Sequence, residues 1–383
     1  MTSRVVHLTS VHPRYDTRIF LKECRSLANT GYDVFLVVAD GQGDEVKDRV
    51  RILDVGKPAG RLSRIFTTTR LVLAKAVELD AEVYHLHDPE LMPVGIRLKR
   101  LGKRVVFDAH EDVPKQILGK PYLSKPVRIL LSWVLKHYEA WACKHFDAIV
   151  TATPNIRDKF LFINPRSVDI NNFPMLGELS CDMEDVEKIP QVCYVGGITA
   201  IRGIREVVAG LARSKSGVRL QLAGRFSEES VYNEVRNSPG WLLVDELGFQ
   251  GRDGVRNTMA RCIGGVVTFH PLPNHLDAQP NKMFEYMSAG LPVIASDFPL
   301  WREIIVGNEC GLCVNPMDPE AIAQAMDYLA THPEEVRRMG DNGKKAVQTR
   351  YNWQHEESRL LALYDELGLG AESFPLETHP HSH

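Results

Sequence analysis

The chain has no apolar run long enough to cross a membrane. Met1-Thr2-Ser3-Arg4 leads directly into Val5-Val6-His7-Leu8, a strand too short and too soon interrupted for a signal peptide, so the protein is expected in the cytoplasm. It has little excess charge of either sign. With 46 Lys and Arg against 49 Asp and Glu, the net charge of -3 gives no general pull toward nucleic acid. Seven cysteines, an odd number in apolar surroundings such as those of Cys193 and Cys262, read as buried thiols in a reducing compartment. Cys310 and Cys313 form one CxxC with no second pair and no nearby histidine, which fits a turn entering a strand better than a zinc or redox site. A G-x-G-x-x-G is missing from the start of either half, and with it the dinucleotide fingerprint. No solenoid repeat is present.

What the chain does have is the size and composition of a two-domain globular enzyme, with 383 residues, 44% of them hydrophobic and 25% charged. In residues 1–170, strand patterns at Arg4 to Ser10, Val34 to Ala39, Val83 to His87, Val105 to Asp108 and Ala148 to Ala152 alternate with helical ones at Thr17 to Ala28, Ser63 to Leu79 and Pro126 to Lys144. Residues 171–190, with Pro174, Gly177, Pro190 and the acidic run Asp182 to Glu187, lack apolar periodicity and read as a linker. A second βα series fills 191–352, and the tail His379 to His383 is expected to be disordered. Repeated βα units predict an α/β protein of two doubly wound, Rossmann-like domains. Ligands of such sheets collect beyond the carboxyl ends of the strands, and two such domains facing each other leave a cleft there.

The segment Asp277 to Ser296 is the richest in chemistry. Pro280-Asn281 opens a short helix, Gly290 ends it, and Pro292-Val293-Ile294-Ala295 returns as a buried strand. The helix start offers backbone N–H groups to a phosphate, and Glu285, one turn further in, is placed to accept from ribose hydroxyls. The plainer reading is an ordinary helix and strand with Glu285 in solvent. Gly196-Gly197 and Arg202 follow another strand; the glycines permit close backbone approach and Arg202 can pair with a phosphate, although such glycines are also common for steric reasons alone.

In the first half, Asp108-Ala109-His110-Glu111-Asp112 follows a strand. His110 there either meets a sugar hydroxyl or merely packs while Asp112 caps a helix. His85 and His87 share one strand face, so at least one is expected to be structural. Asp16 and Arg18, in the loop after the first strand, either bind an acceptor or, for Asp16, cap the next helix. Residues 120–146 set Lys120, Lys125, Arg128, Lys136 and Lys144 among Leu130, Leu131, Trp133 and Trp141. Such a helix either lies on an anionic membrane or packs its apolar face on the sheet.

These residues resemble a known family, the bacterial glycosyltransferases of family four (group 1), which are retaining enzymes of the GT-B fold. The likeness rests on Pro280-Asn281-Lys282-Met283-Phe284-Glu285-Tyr286-Met287 with Ala289-Gly290-Leu291-Pro292-Val293-Ile294-Ala295, on Tyr194 to Gly203, and on Gly311-Leu312-Cys313-Val314 with Pro316 and Asp318. The resemblance implies that a nucleotide-diphosphate sugar is held by the second domain and a glycan or polyprenyl-linked acceptor by the first. Glu285 would bind the ribose, Asp277 would lie near the sugar, and Arg202 with the amides around Asn281 would hold the diphosphate, Lys282 adding charge. His110 would meet the donor sugar near its anomeric carbon, and a terminal helix, residues 353–375, would cross back to the first domain. Acceptor recognition does not carry over, because residues 12–18 replace the glycine-rich first loop of many relatives; Asp16, Arg18 and Glu111 are acceptor candidates by their place after strands alone.

Two departures stand out. The first acid of the family's Glu-x7-Glu is Asp277, and the arginine of its Arg-x4-Lys is Gly197, with Arg202 in the lysine's place. One cation must then act for two unless Lys282 or Arg225 compensates. No cofactor and no metal are expected, because no acidic cluster typical of a metal-diphosphate site is visible. The expected function is sugar transfer in cell-surface polysaccharide synthesis, at the inner face of the membrane if the 120–146 helix binds there. A sugar-nucleotide epimerase on the same scaffold is the alternative; an exported sugar receptor lacks its signal peptide, and a nicotinamide dehydrogenase lacks its fingerprint.

Overall fold

The computed structural model describes residues 3–120, 123–178 and 188–368. The acidic run Asp182 to Glu187, the tail His379 to His383 and the expected helix beyond residue 368 lie outside the described residues. The chain forms two compact units, Met1–Asn172 with Glu356–His383, and Phe173–His355.

The first unit is built on strands β1 (Arg4–Leu8), β2 (Asp33–Val38), β3 (Glu45–Lys47), β4 (Val50–Asp54), β5 (Val83–Leu86), β6 (Arg104–Ala109), β7 (Ala148–Thr151) and β8 (Ser167–Asp169), ordered β3-β4-β2-β1-β5-β6-β7-β8. All neighbours are parallel except β3, which pairs antiparallel with β4 across a turn in which Asp48 and Arg49 both have positive φ. One sheet face is apolar, with Val6, Leu8, Tyr84, Leu86, Val105 and Phe107 in one cluster. The alternation of side chains along a strand sends His7, His85 and Asp108 to the opposite face, where each is buried. That face is closed by the helical segment Ile19–Cys24, whose i to i+5 hydrogen bonds (Leu21 N to Asp16 O, Glu23 N to Arg18 O) widen the turn, and by the terminal helix Trp353–Glu366. The helix expected over Thr17 to Ala28 is thus a π turn continued by the α-helix Arg25–Asn29. Terminal-helix residues bind first-unit groups. Glu356 accepts from the Asn171 N–H at 2.6 Å, Arg359 pairs with Asp169, and the Tyr364 hydroxyl meets His85 Nδ1 at 2.9 Å.

The second unit has β9 (Gln191–Val195), β10 (Arg219–Ala223), β11 (Val244–Gly248), β12 (Gly264–Val267), β13 (Val293–Ser296) and β14 (Gly311–Val314), all parallel in the order β11-β10-β9-β12-β13-β14. Successive β9 residues serve opposite cores, Val192 and Tyr194 on one side, Cys193 and Val195 on the other. Helices therefore cover both faces, as a doubly wound sheet requires. Helix Asn281–Ser288 lies so close to this sheet that a Cβ on Gly265 would come within 2.3 Å of the Tyr286 ring. Tyr286 is fully buried, and its hydroxyl accepts from the Val195 N–H at 3.0 Å, tying that helix to the end of β9. Cys310 is buried near the Ile304 and Ile305 carbonyls, and Cys310 and Cys313 are free thiols.

Candidate active site

In the second unit the turn after β9 and the start of helix Asn281–Ser288 come together. Gly196 has φ +100, which favours glycine, and a Cβ there would lie 3.8 Å from Lys282 Cε. A Cβ on Gly197 would meet Arg202 Nη1 at 2.9 Å. Arg202 donates to the Gly197 carbonyl at 3.2 Å and lies over the Phe269 ring at 5.4 Å. The guanidinium thus leans over the place where the family's arginine side chain would begin. Gly203, φ +79, has no room for a side chain, since a Cβ would strike the Thr268 carbonyl oxygen at 2.0 Å.

Lys282 is buried, its ammonium 3.8 Å from the centre of the Tyr194 ring and without a hydrogen-bond partner. Burial, and then the charge of Arg202, push its pKa down to about 7. Two basic side chains therefore flank one glycine turn, one of them without a hydrogen-bond partner. That is an arrangement able to receive a doubly charged diphosphate. Arg225, the other candidate for the missing cation, stacks on Phe249 at 4.9 Å.

Glu285 does not stand in solvent, because Arg252 Nη1 holds its Oε1 at 2.7 Å and Arg252 Nε donates to Glu178 Oε1 at 2.7 Å. Neither Arg252 nor Glu178 was legible as a site residue. They lie 33 and 107 positions before Glu285, with no pattern linking them. Asn281 is the first residue of its helix, and Asp277 is half-buried in the loop ahead of it. That loop is pinned by fully buried Trp301, whose indole N–H donates to the Ala278 carbonyl at 2.7 Å.

In the first unit, His110 Nε2 lies 3.0 Å from Asp108 Oδ2, which also sits 3.3 Å from His87 Nδ1. Burial would raise the Asp108 carboxyl, but Arg18 and then His110 outweigh it and hold it well below the usual range. Arg18 corrects an expectation. It is buried, bidentate to Asp108 at 2.7 and 2.9 Å, and donates to the Ile170 carbonyl, so its donors are committed inside the unit and it does not present them to an acceptor. Asp16 takes the capping role, accepting from the N–H groups of Arg18 and Ile19 at 2.8 and 3.0 Å, while its second oxygen meets His12 Nδ1. Burial opposes charge on His12, but the Asp16 hydrogen bond and the nearby carboxylates Asp88, Asp16 and Asp108 raise its pKa. Glu111 is exposed and accepts from the Gln116 side chain, and Asp112 caps Val113–Leu118 through the Lys115 N–H. His85 and His87 are both fully enclosed.

The helix Lys125–Cys143 buries only Glu139, Ala142 and Cys143. Leu130 is 61% and Trp133 60% exposed, so its apolar face is not spent on the sheet. No helix of the described residues is long and apolar enough to cross a membrane.

Comparison with known proteins identifies the family and the fold. The family model described as Glycosyl transferases group 1 matches residues 184–346, and that described as Glycosyltransferase Family 4 matches 17–168. An uncharacterized glycosyltransferase of Methanocaldococcus jannaschii is 25% identical over 307 residues, 74% of this chain and 75% of its own. The MMP alpha-(1->4)-mannosyltransferase of Mycolicibacterium hassiacum is 23% identical, but the match spans only 43% of this chain and 40% of that protein. Among solved structures, Anabaena HepE in complex with UDP-glucose superposes with a TM-score of 0.73 at 14% identity, covering 95% of this chain and 99% of its own, which shows a shared fold. The named relatives are transferases, and the epimerase reading is not favoured. With one family model over most of each unit, the chain belongs to the group 1, family 4 glycosyltransferases of GT-B fold and is a transferase enzyme.

Proposed function

We propose that the protein is a retaining glycosyltransferase that moves a sugar from a nucleotide-diphosphate donor to a hydroxyl of a glycan or lipid-linked acceptor in cell-surface polysaccharide synthesis. The observation that carries the donor half is the pairing of Arg202 with the partnerless Lys282 at the Gly196–Gly197 turn. The diphosphate lies there, with the amides at Asn281 and the positive end of that helix adding to the grip. Glu285, aimed by Arg252, accepts from the ribose hydroxyls, and Asp277 and His110 meet the sugar. HepE, which shares the fold, was crystallised in complex with UDP-glucose, and this supports a nucleotide sugar as donor.

In the reaction, the acceptor hydroxyl oxygen bonds to the anomeric carbon on the face from which the diphosphate leaves. Its proton passes to the departing phosphate oxygen, and the anomeric configuration is kept. Arg202 and Lys282 stabilise the charge that grows on the leaving group. No metal is needed at the diphosphate, and turnover continues when magnesium is withheld; loss of activity in a chelator, restored by magnesium, contradicts this. The exposed Leu130 and Trp133, with Lys125, Arg128 and Lys136 on the same helix, support a peripheral seat on anionic lipid near a lipid-linked acceptor. The test is nucleotide release with UDP-, GDP-, dTDP- and CMP-sugars, with and without candidate acceptors, in the wild type and in Arg202→Ala and Glu285→Ala. Acceptor-dependent release lost in both folded variants supports the reading, and full activity in both removes it.

A further inference from the structure

The polar face of the first sheet holds a second cluster that donor and acceptor chemistry leave unused. His7 on β1 lies in register with His85 on β5, and His87 follows two residues later on the same face. Glu23 comes down on them from the segment Ile19–Cys24. All four side chains are fully buried. His7 Nδ1 and His87 Nε2 are 2.8 Å apart, each lies 3.9 Å from Glu23 Oε2, and one ligand atom from each of the four residues falls within 4.8 Å of the others.

Several polar atoms of this cluster have nothing to bond. His7 Nε2, His85 Nε2 and both Glu23 oxygens lack a hydrogen-bond partner, which is costly at such depth. Glu23 Oε1 does lie 3.1 Å from Arg18 Nε, but Arg18 already gives its bidentate pair to Asp108. Arg18 is therefore shared by two buried carboxylates, Asp108 and Glu23, and brings one positive charge to both.

We propose that His7, Glu23, His85 and His87 bind one divalent transition-metal ion of the zinc class, as a structural site inside the first unit. Three imidazoles and one carboxylate make a donor set suited to such an ion. In a tetrahedral site with metal–nitrogen bonds of about 2.0–2.1 Å, imidazole ring centres stand roughly 5 Å apart. Here the three separations are 4.8, 4.8 and 5.1 Å. Outer partners of the kind metal-bound histidines use are in place for two of the three. His87 turns its other nitrogen to the Asp108 carboxylate at 3.3 Å, and His85 turns its Nδ1 to the Tyr364 hydroxyl at 2.9 Å. Binding would open the short His7–His87 contact toward roughly 3.4 Å, the ligand spacing of that geometry. Because Tyr364 belongs to the terminal helix, the ion would fasten that helix to the sheet.

The test uses the full chain, stripped of metal and dialysed against zinc or cobalt(II). The expected result is one ion per chain, a four-coordinate cobalt absorption, and an X-ray absorption fine structure with three imidazoles. His87→Gln and Glu23→Gln should abolish the cobalt signal, and Tyr364→Phe should weaken zinc about 10-fold or more. Should the glutamine variants fail to fold, the imidazole count on the wild type decides. Less than a tenth of an ion per chain overturns the proposal, and so does a cobalt signal undiminished in both variants, which would place the ion elsewhere, as on His379, His381 and His383. A wild type that binds no ion yet transfers sugar leaves the transferase reading standing and removes only this one.

Discussion

Lys282 Nζ sits 3.8 Å above the Tyr194 ring with no hydrogen-bond partner, beside Arg202, whose guanidinium reaches back to the Gly197 carbonyl. A buried amine kept from an anion stores unfavourable energy that a bound diphosphate would release. Lys282→Met should therefore weaken the donor nucleotide by about 2 kcal/mol or more, roughly 30-fold, and Arg202→Ala by as much. Calorimetric titration with the nucleoside diphosphate checks this; unchanged affinity in Lys282→Met would show that the ammonium does not touch the ligand.

The same lysine has a pH signature. Its folded pKa, about 7, lies below the ordinary 10.5 because burial disfavours the charge. Between those values the unfolded chain binds a proton that the folded chain does not, so this group lowers stability at neutral pH and the loss fades as pH rises toward 10.5. Lys282→Met should accordingly be more stable than the wild type at pH 7, by an amount on the order of a few kcal/mol, with the gap closing by about pH 10. Denaturant melts across that range measure it, and a gap independent of pH contradicts the assignment. Donor binding above pH 7 should also take up a proton, visible as a dependence of binding heat on the buffer's ionisation enthalpy.

Arg252 holds Glu285 at 2.7 Å, both in the second unit. Arg252→Met leaves the carboxylate unaimed and should raise the donor KM about tenfold with a smaller change in kcat, since ribose contacts are uniform binding. A fall in kcat with KM unchanged would mean that Arg252 acts on the reaction itself.

On the helix Lys125–Cys143, replacing Leu130 and Trp133 together by serine should reduce binding to anionic vesicles at least tenfold, because each exposed side chain is worth about 1.5–3 kcal/mol when buried in lipid. Sedimentation with vesicles containing phosphatidylserine or phosphatidylglycerol reads this directly. A wild type that stays in the supernatant contradicts the membrane seat.

The two-sheet architecture was legible because parallel strands buried on both faces read as apolar runs, such as Val192-Cys193-Tyr194-Val195 and Val293-Ile294-Ala295. The hairpin of β3 and β4 was not, because its turn sets Asp48 and Arg49, rather than Asn-Gly, at positive φ. Around the donor site, Glu285, Lys282 and Arg202 could be read from local pattern and family likeness. Arg252, Glu178 and Trp301 could not, since each reaches the site only through tertiary folding. The burial of Arg18 cannot be read from the sequence for the same reason. Its partner Asp108 is 90 residues away, and nothing in its own loop announces a buried pair.

The most direct test is a crystal soaked with whichever nucleotide sugar gives the largest thermal shift. The account predicts phosphate oxygens about 2.8 Å from both Arg202 and Lys282, with the ribose on Glu285. A diphosphate bound elsewhere, or one that leaves Lys282 still facing only Tyr194, would contradict it.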